Sequence, residues 1–324
     1  MLKGNVIAID LERQAPGSAA LLEEITRSLM NDPPFLPAKL HYDERGSELF
    51  EEICEQPEYG LTRTEAGIMR DNAAAIADAI GPDAAVIEPG SGASIKTELL
   101  IDALDRCAGY IPSDISDTML AHASERFADR FPGLPIRPLH ADFMQPIRLP
   151  DDSQLGTRRV VYFPGSTIGN FGPAAQRQVM KSFKTLAGDS GCLLVGFDLV
   201  KPVTLMERAY NDAAGVTAAF NLNMIDRLQR DFGLDFQSED FEFDARWNPE
   251  RQAVVSHVRA VTDIAVEIGN HTFTLRKGGT IRTEESHKYT GDRIAALAES
   301  CGLVVSEQWH DGDEGFAVVM LSPE

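Results

Sequence analysis

The sequence predicts an α/β fold built on a mostly parallel sheet, closed by an antiparallel hairpin and joined by a second, smaller α+β domain. Three observations predict it. Between residues 84 and 200, short apolar runs alternate with helix-patterned segments, as strands linked by crossover helices do. The chain closes with two strand-like runs, "LVVSEQWH" (303–310) and "GFAVVMLS" (315–322), joined by the turn "DGDEG". Residues 240–285 hold the alternating stretches "RQAVVSHVRAVTDIAVEI" and "HTFTLRKGGTI", typical of an antiparallel sheet.

The elements follow in order. "AAVIEPG" (84–90) is a strand by its apolar run and glycine stop, and "IKTELLIDALDRC" (95–107) has apolar residues at helical spacing. "AGYIPSDIS" (108–116) is a second strand, and "DTMLAHASERFADRF" (117–131) a helix capped by Ser116 or Asp117. "LPIRPLHADF" (134–143) and "RRVVYFPGS" (158–166) are the third and fourth strands. "PAAQRQVMKSFKTLA" (173–187) is a helix opened by proline, and "GCLLVGFDLV" (191–200) a fifth strand. Residues 201–230 are helical in character, and "GDRIAALAESCG" is a helix before the final hairpin. In such sheets ligands lie beyond the carboxyl ends of the strands.

Composition narrows the function. The chain has 324 residues and a formal net charge of −20, which repels phosphate backbones and points to a small, soluble substrate, not nucleic acid. No apolar run approaches the ~20 residues of a membrane span, and "MLKGNVIAIDLERQ" is not a signal peptide. The four cysteines form no CxxC pair and the seven histidines no HxH or HExxH motif, so reduced thiols, a cytoplasmic location and no metal are expected.

The stretch "VIEPGSGASIKT" (86–97) runs from strand through a Gly-x-Gly turn into a helix. A lone GxG is weak evidence, and the plain alternative is a tight turn. Asp114, at the end of the second strand, suits ribose hydroxyls. Asp142 and Phe143, ending the third, suit an adenine's amine edge and flat face. A pyrophosphate fits poorly, because the third glycine of GxGxxG is missing and Glu88 precedes Gly90 and Gly92. An acid there suits the ammonium end of S-adenosylmethionine (SAM), a sulfonium cation without phosphate. Asp114 as a helix cap and Phe143 as ordinary core are the alternatives. The glycine-rich loop "FPGSTIGNFGP" (163–173) can aim N–H groups and the Asn170 amide at a small polar substrate, or be a simple turn before Pro173. The parallel unit with its closing hairpin looks like the class I SAM-dependent methyltransferase fold, a Rossmann-like sheet. Residues 64–200 and 286–324 are expected to form the SAM-binding core, and 1–63 and 201–285 the substrate-binding domain.

Six stretches carry a more specific resemblance: "YDERGSELFEEICEQPEYGLTRTE" (42–65), "EPGSGASIKT" (88–97), "FPGSTIGNF" (163–171), "DLVKP" (198–202), "AYNDAAGVTAAFNLN" (209–223) and "IRTEESHKY" (281–289). Together they resemble the histidine Nα-methyltransferases of ergothioneine biosynthesis over roughly residues 30–320. The resemblance implies conversion of L-histidine to Nα-trimethylhistidine (hercynine) with SAM used three times, by a monomer. It implies that Gly90, Lys96, Asp114, Asp142 and Phe143 bind SAM, and that Tyr59 lies near both SAM and substrate. It places Gly165 and Asn170 at the substrate's amino and carboxylate ends, Tyr210 at the carboxylate, Tyr42 near the reacting amine, and Glu284 and Ser286 on the imidazole. The strand pattern agrees with the last pair, since residues two apart share a face, although Glu284 alone also reads as a solvated charge. Two departures stand out: Ser256 replaces the family's usual imidazole-pocket methionine, and Gly60-Leu61 follows Tyr59 where many relatives have Tyr-Pro. Ser256 keeps open a same-fold methyltransferase acting on tryptophan or a modified histidine. A SAM-binding relative without catalysis is the other alternative, and a nicotinamide dehydrogenase a more distant one.

Overall fold

The structure is a computed structural model that describes residues 18–92, 95–149, 158–313 and 315–324. In chain order, helices α1 (Ser18–Leu29), α2 (Glu44–Glu55), α3 (Leu61–Asp71) and α4 (Ala73–Ile80) lead into β1 (Ala84–Pro89). Then come α5 (Ile95–Ala103), β2 (Gly109–Asp114), α6 (Asp117–Arg130), β3 (Leu139–His140), β4 (Arg158–Phe163), α7 (Pro173–Ala187) and β5 (Cys192–Asp198). Helices α8 (Val203–Arg208) and α9 (Val216–Phe232) precede β6 (Phe241–Asn248), β7 (Ala253–Ala260), β8 (Ile264–Ile268), β9 (His271–Leu275) and β10 (Thr280–His287). Helix α10 (Gly291–Glu299) and strands β11 (Leu303–His310) and β12 (Phe316–Pro323) complete the chain.

The described chain divides into two compact units, one of residues 61–199 and 289–324, the other of residues 18–60 and 200–288. The first holds a seven-stranded sheet in the order β11-β12-β5-β4-β1-β2-β3. Strands β1 to β5 pair in parallel, and β12 runs antiparallel to both β5 and β11. Every residue of β1 and β5 is buried, which is why these strands read as unbroken apolar runs. The third strand is shorter than its sequence suggests. Pro135 and Pro138 cannot donate to a ladder, so only Leu139–His140 qualifies, with an isolated bridge from Ile136 to Tyr110. Ser116, one of the two expected caps, accepts a hydrogen bond from the Met119 N–H at the start of α6.

The second unit has a three-stranded antiparallel sheet, β10-β7-β6, and a separate hairpin, β8-β9. Its core joins Ile25 and Leu29 of α1, Met224, Ile225 and Leu228 of α9, and Val258 and Ile281 of the sheet. Asp212 caps α9, its two carboxylate oxygens accepting from the Val216 and Thr217 N–H groups at 2.8 Å each. This gives the acid in "AYNDAAG" its local role, two residues past Tyr210. Between Arg282 and Glu284 the β10–β7 register shifts, so Thr283 and Glu284 together stand opposite Ser256. That is a β-bulge, and a bulge re-aims the side chains it carries.

Candidate active site

In the first unit the expected residues gather at the carboxyl ends of β1 to β4. Gly90 and Gly92 have φ values of +67° and +49°, the left-handed region that favours glycine. A Cβ on Gly90 would stand 3.0 Å from Cε1 of Phe143, so the turn lies flush against that ring. Asp114 closes the same turn. Its Oδ2 accepts from the Gly92 N–H at 2.9 Å and its Oδ1 from the Ser116 N–H at 2.9 Å. Burial raises the Asp114 carboxyl above its ordinary range, against the lowering effect of those N–H groups. Each of its oxygens keeps a lone pair beyond these bonds, as a diol requires. Asp142 is buried and accepts from the Met144 N–H at 2.9 Å, while Phe143 packs edge-on against Phe163 and Phe171.

Glu88 is engaged inside the unit. It accepts from Thr97 Oγ1 at 2.6 Å and from the Tyr110 hydroxyl, which ties the end of β1 to α5 and β2. Lys96 pairs with Glu65, a carboxylate of α3 with no solvent exposure. Glu65 also accepts from the Gly165 N–H, at 2.8 and 3.1 Å from its two oxygens. One buried acid thus anchors the lysine of α5 and the loop after β4. Gly196 makes room for it, since a Cβ there would meet Glu65 Oε1 at 2.3 Å. Ser166 takes a left-handed φ of +55° and its Oγ accepts from the Asp198 N–H, which sets the turn that ends at half-buried Asn170.

These residues fit SAM better than a dinucleotide. The glycine turn sits among Glu88, Asp114 and Asp142, and its nearby cation, Lys96, is already paired with Glu65. A pyrophosphate would face net negative charge there, whereas a sulfonium is attracted by it.

In the second unit, Tyr59 and Tyr210 meet edge to face, with ring centroids 6.2 Å apart. Tyr42 lies edge-on to Phe50 and Phe220, each at 6.0 Å, and Phe50 contacts Tyr59 at 6.4 Å. Burial raises the Tyr59 phenol well above its ordinary value, with Tyr210, Cys54, Glu284 and Tyr42 adding to it. The hydroxyl is therefore kept neutral. Tyr42, Tyr59, Tyr210 and Glu284 thus share one electrostatic neighbourhood. Burial also pushes the Glu284 carboxyl up to about 7, against the pull of Lys288. Ser286 Oγ accepts from the Tyr210 hydroxyl at 2.6 Å and from Lys288 Nζ at 2.9 Å. Ser256 is buried at 1% exposure, and its hydroxyl has no hydrogen-bond partner among the described residues. As the cross-strand partner of Glu284, it stands on the same face, at about 5 Å between Cβ atoms. Behind the bulge, Thr283 donates to Asn221 Oδ1 at 2.6 Å, and Asn221 in turn meets His41 Nε2 at 3.3 Å. His41 stacks on Phe220 at 4.4 Å, and burial lowers it to about 4, so it stays neutral.

Glu65, Thr97, Tyr110 and Lys288 were not singled out by sequence. Two of them left a signal. Glu65 lies on the buried stripe of α3 with Leu61, Ile68 and Met69, where a carboxylate is out of place without a partner. Lys288 continues the two-residue period of Glu284 and Ser286 along one strand.

A parallel sheet with β12 inserted antiparallel between β5 and β11, a glycine turn after β1 and an acid at the end of β2 define a class I SAM-dependent methyltransferase. Residues 21–323 match the family model described as "Histidine-specific methyltransferase, SAM-dependent". Among curated proteins, the chain is 35% identical to the histidine N-alpha-methyltransferase of Mycolicibacterium smegmatis, over 93% of this chain and 95% of that one. It is 28% identical to ergothioneine biosynthesis protein 1 of Neurospora crassa, over 96% of this chain and 36% of that one. It is 26% identical to the 4-dimethylallyltryptophan N-methyltransferase of Aspergillus fumigatus, over 95% of each chain. The chain belongs to the SAM-dependent histidine-specific methyltransferase family.

Proposed function

We propose that this chain is an L-histidine Nα-methyltransferase that makes hercynine by three successive methylations, a step of ergothioneine biosynthesis. The observation that supports it best is the Glu284–Ser286 pair, on one face of β10 just past the bulge, in a chain of a histidine-specific family. An imidazole offers two nitrogens, and a carboxylate with a neighbouring hydroxyl can address both.

SAM supplies an electrophilic methyl group for in-line displacement by an amine. In the first unit, Gly90, Gly92, Asp114, Asp142 and Phe143 would hold it, with Glu88 and Lys96 fixed in place by Tyr110, Thr97 and Glu65. Gly165 and Asn170 would contact the substrate's amino and carboxylate ends. In the second unit, the Tyr210 hydroxyl is engaged by Ser286 and Lys288 and has no hydrogen to spare for the carboxylate; Tyr42 and Tyr59 would flank the amine, and Glu284 and Ser286 would hold the ring. The amine must be neutral to attack, and its proton can leave to water without a strong base. Positioning and exclusion of water then carry most of the acceleration. Tyrosine faces can accept the quaternary cation as it grows, by cation–π contact.

The same pocket keeps a second reading in view. Ser256 leaves more room than a methionine would, and one relative, 26% identical, is named for methylating 4-dimethylallyltryptophan, a larger ring. The test is to incubate the purified protein with SAM and a panel of amino acids that includes histidine and tryptophan, and to follow mass. A ladder of one, two and three methyl groups on histidine alone is expected. Methylation of another amino acid with histidine untouched would overturn the proposal.

A further inference from the structure

Glu284, Ser286 and Lys288 follow one another at two-residue spacing on β10 and its end, so they share a face. Lys288 has no solvent exposure. Its Nζ donates to Tyr210 Oη at 2.9 Å and to Ser286 Oγ at 2.9 Å, and lies 4.6 Å from the Tyr210 ring centroid. The Tyr210 hydroxyl donates to Ser286 Oγ at 2.6 Å.

The direction of these bonds matters. A lysine ammonium only donates, so neither hydroxyl can give its hydrogen to it. The phenol is the more acidic hydroxyl, and a donor on its oxygen makes it a still better donor. Ser286 Oγ therefore accepts twice, and both its lone pairs are filled. Its own hydrogen must be given to a group outside the triangle. This end of the strand face is thereby donor-only, and an N–H cannot bind there.

We propose that Lys288 is a positioning residue that commits Ser286 to donate, so that the substrate ring binds neutral and as one tautomer, its lone-pair nitrogen on Ser286 and its N–H on the Glu284 carboxylate. The proposal rests on the histidine reading above and adds to it a residue, a polarity and a selection rule. A doubly protonated ring presents N–H at both nitrogens and is refused at Ser286. A ring with C–H in place of the lone-pair nitrogen leaves a buried donor unmatched, which is costly.

The experiment uses the full chain and compares histidine with the two pyrrolylalanines, which keep one ring N–H and replace the other nitrogen by C–H. Wild type is expected to prefer histidine over the better pyrrolylalanine by about tenfold or more in kcat/KM. Lys288→Met and Lys288→Gln remove the donor-only group, so Ser286 can turn its hydrogen back to Tyr210. Preference is then expected to fall to a few-fold, with the KM for histidine raised and kcat changed much less. Retained SAM binding by calorimetry reports that each variant is folded. Ser286→Ala is the parallel variant and should also lose the preference. Folded Lys288 variants that keep the full wild-type preference would overturn the proposal while leaving the histidine reading intact. A wild-type chain that does not methylate histidine at all would overturn both.

Discussion

Glu284→Gln should make the protein more stable and less active at once. In the folded chain, burial raises the Glu284 carboxyl from 4.5 to about 7. The sign follows from linkage. Below pH 4.5 the group is protonated in both states and its shift costs nothing. Between 4.5 and about 7 the unfolded chain releases a proton that the folded chain retains, so stability falls as pH rises. Above about 7 the buried carboxylate is ionised and the full cost is present. The shift corresponds to about 3 kcal/mol, and partial exposure of the side chain reduces this to about 1–2 kcal/mol. Glutamine does not titrate. Urea unfolding at pH 5 and pH 8 should show a small advantage for the variant at the lower pH and about 1–2 kcal/mol at the higher one. Activity should move the other way, because the amide replaces a full carboxylate acceptor with a weaker one. The substrate's own ionisations affect both proteins equally, so the ratio of their kcat/KM values isolates Glu284. That ratio, wild type over variant, should be constant above about pH 7 and fall about tenfold per pH unit below it. A stability difference that is the same at pH 5 and pH 8, or a flat activity ratio, would refute the reasoning.

Two further outcomes follow from the first unit. Gly196→Ala places a Cβ 2.3 Å from the anchored Glu65 carboxylate and 3.0 Å from Phe316, so the melting temperature should fall by the equivalent of about 1–3 kcal/mol in calorimetry. Asp114→Asn keeps the size of the group but replaces one acceptor oxygen by an amide NH2, which must face the Gly92 or the Ser116 N–H; the Kd for SAM, measured by titration calorimetry, should rise about tenfold or more, and the melting temperature should fall by the equivalent of about 1–3 kcal/mol.

Much of the fold was legible because strands and helices of the first unit have local causes. Apolar runs stop at glycines, Ser116 caps α6, and Pro173 opens α7. Even the shortening of β3 was written in the sequence as Pro135 and Pro138. What the sequence could not display was where polar groups turn once packed. Glu88 looked free to meet an ammonium, but Thr97 and Tyr110 hold it, and these lie on elements that only the fold brings near. Glu65 depends on contacts across 31 and 100 residues of sequence, to Lys96 and Gly165, and no local pattern encodes such distances. The β10 bulge is of the same kind. Period-two reading puts Glu284 and Ser286 on one face, but the register slip that also stands Thr283 opposite Ser256 is decided by pairing with β7.

The Ser256 departure is connected to that slip. With Thr283 drawn to Asn221 and the His41–Phe220 stack, Glu284 is left as the cross-strand partner of Ser256, whose hydroxyl has no partner among the described residues. A methionine at this position could only pack against a ring. A serine can donate to Glu284 or accept from a ring substituent, and either use adds polarity at the acceptor end of β10 while Lys288 fixes the donor end. The strand face therefore runs from acceptor to donor over Glu284, Ser286 and Lys288, with Ser256 alongside the first of them. An apolar indole matches such a face poorly, because it offers one N–H and no lone-pair nitrogen for Ser286. The smaller side chain at Ser256 and the polarised strand thus point in opposite directions on substrate size, and the hydrogen-bond pattern is the stronger selector, because a buried unmatched donor costs more than a small unfilled volume that water can enter.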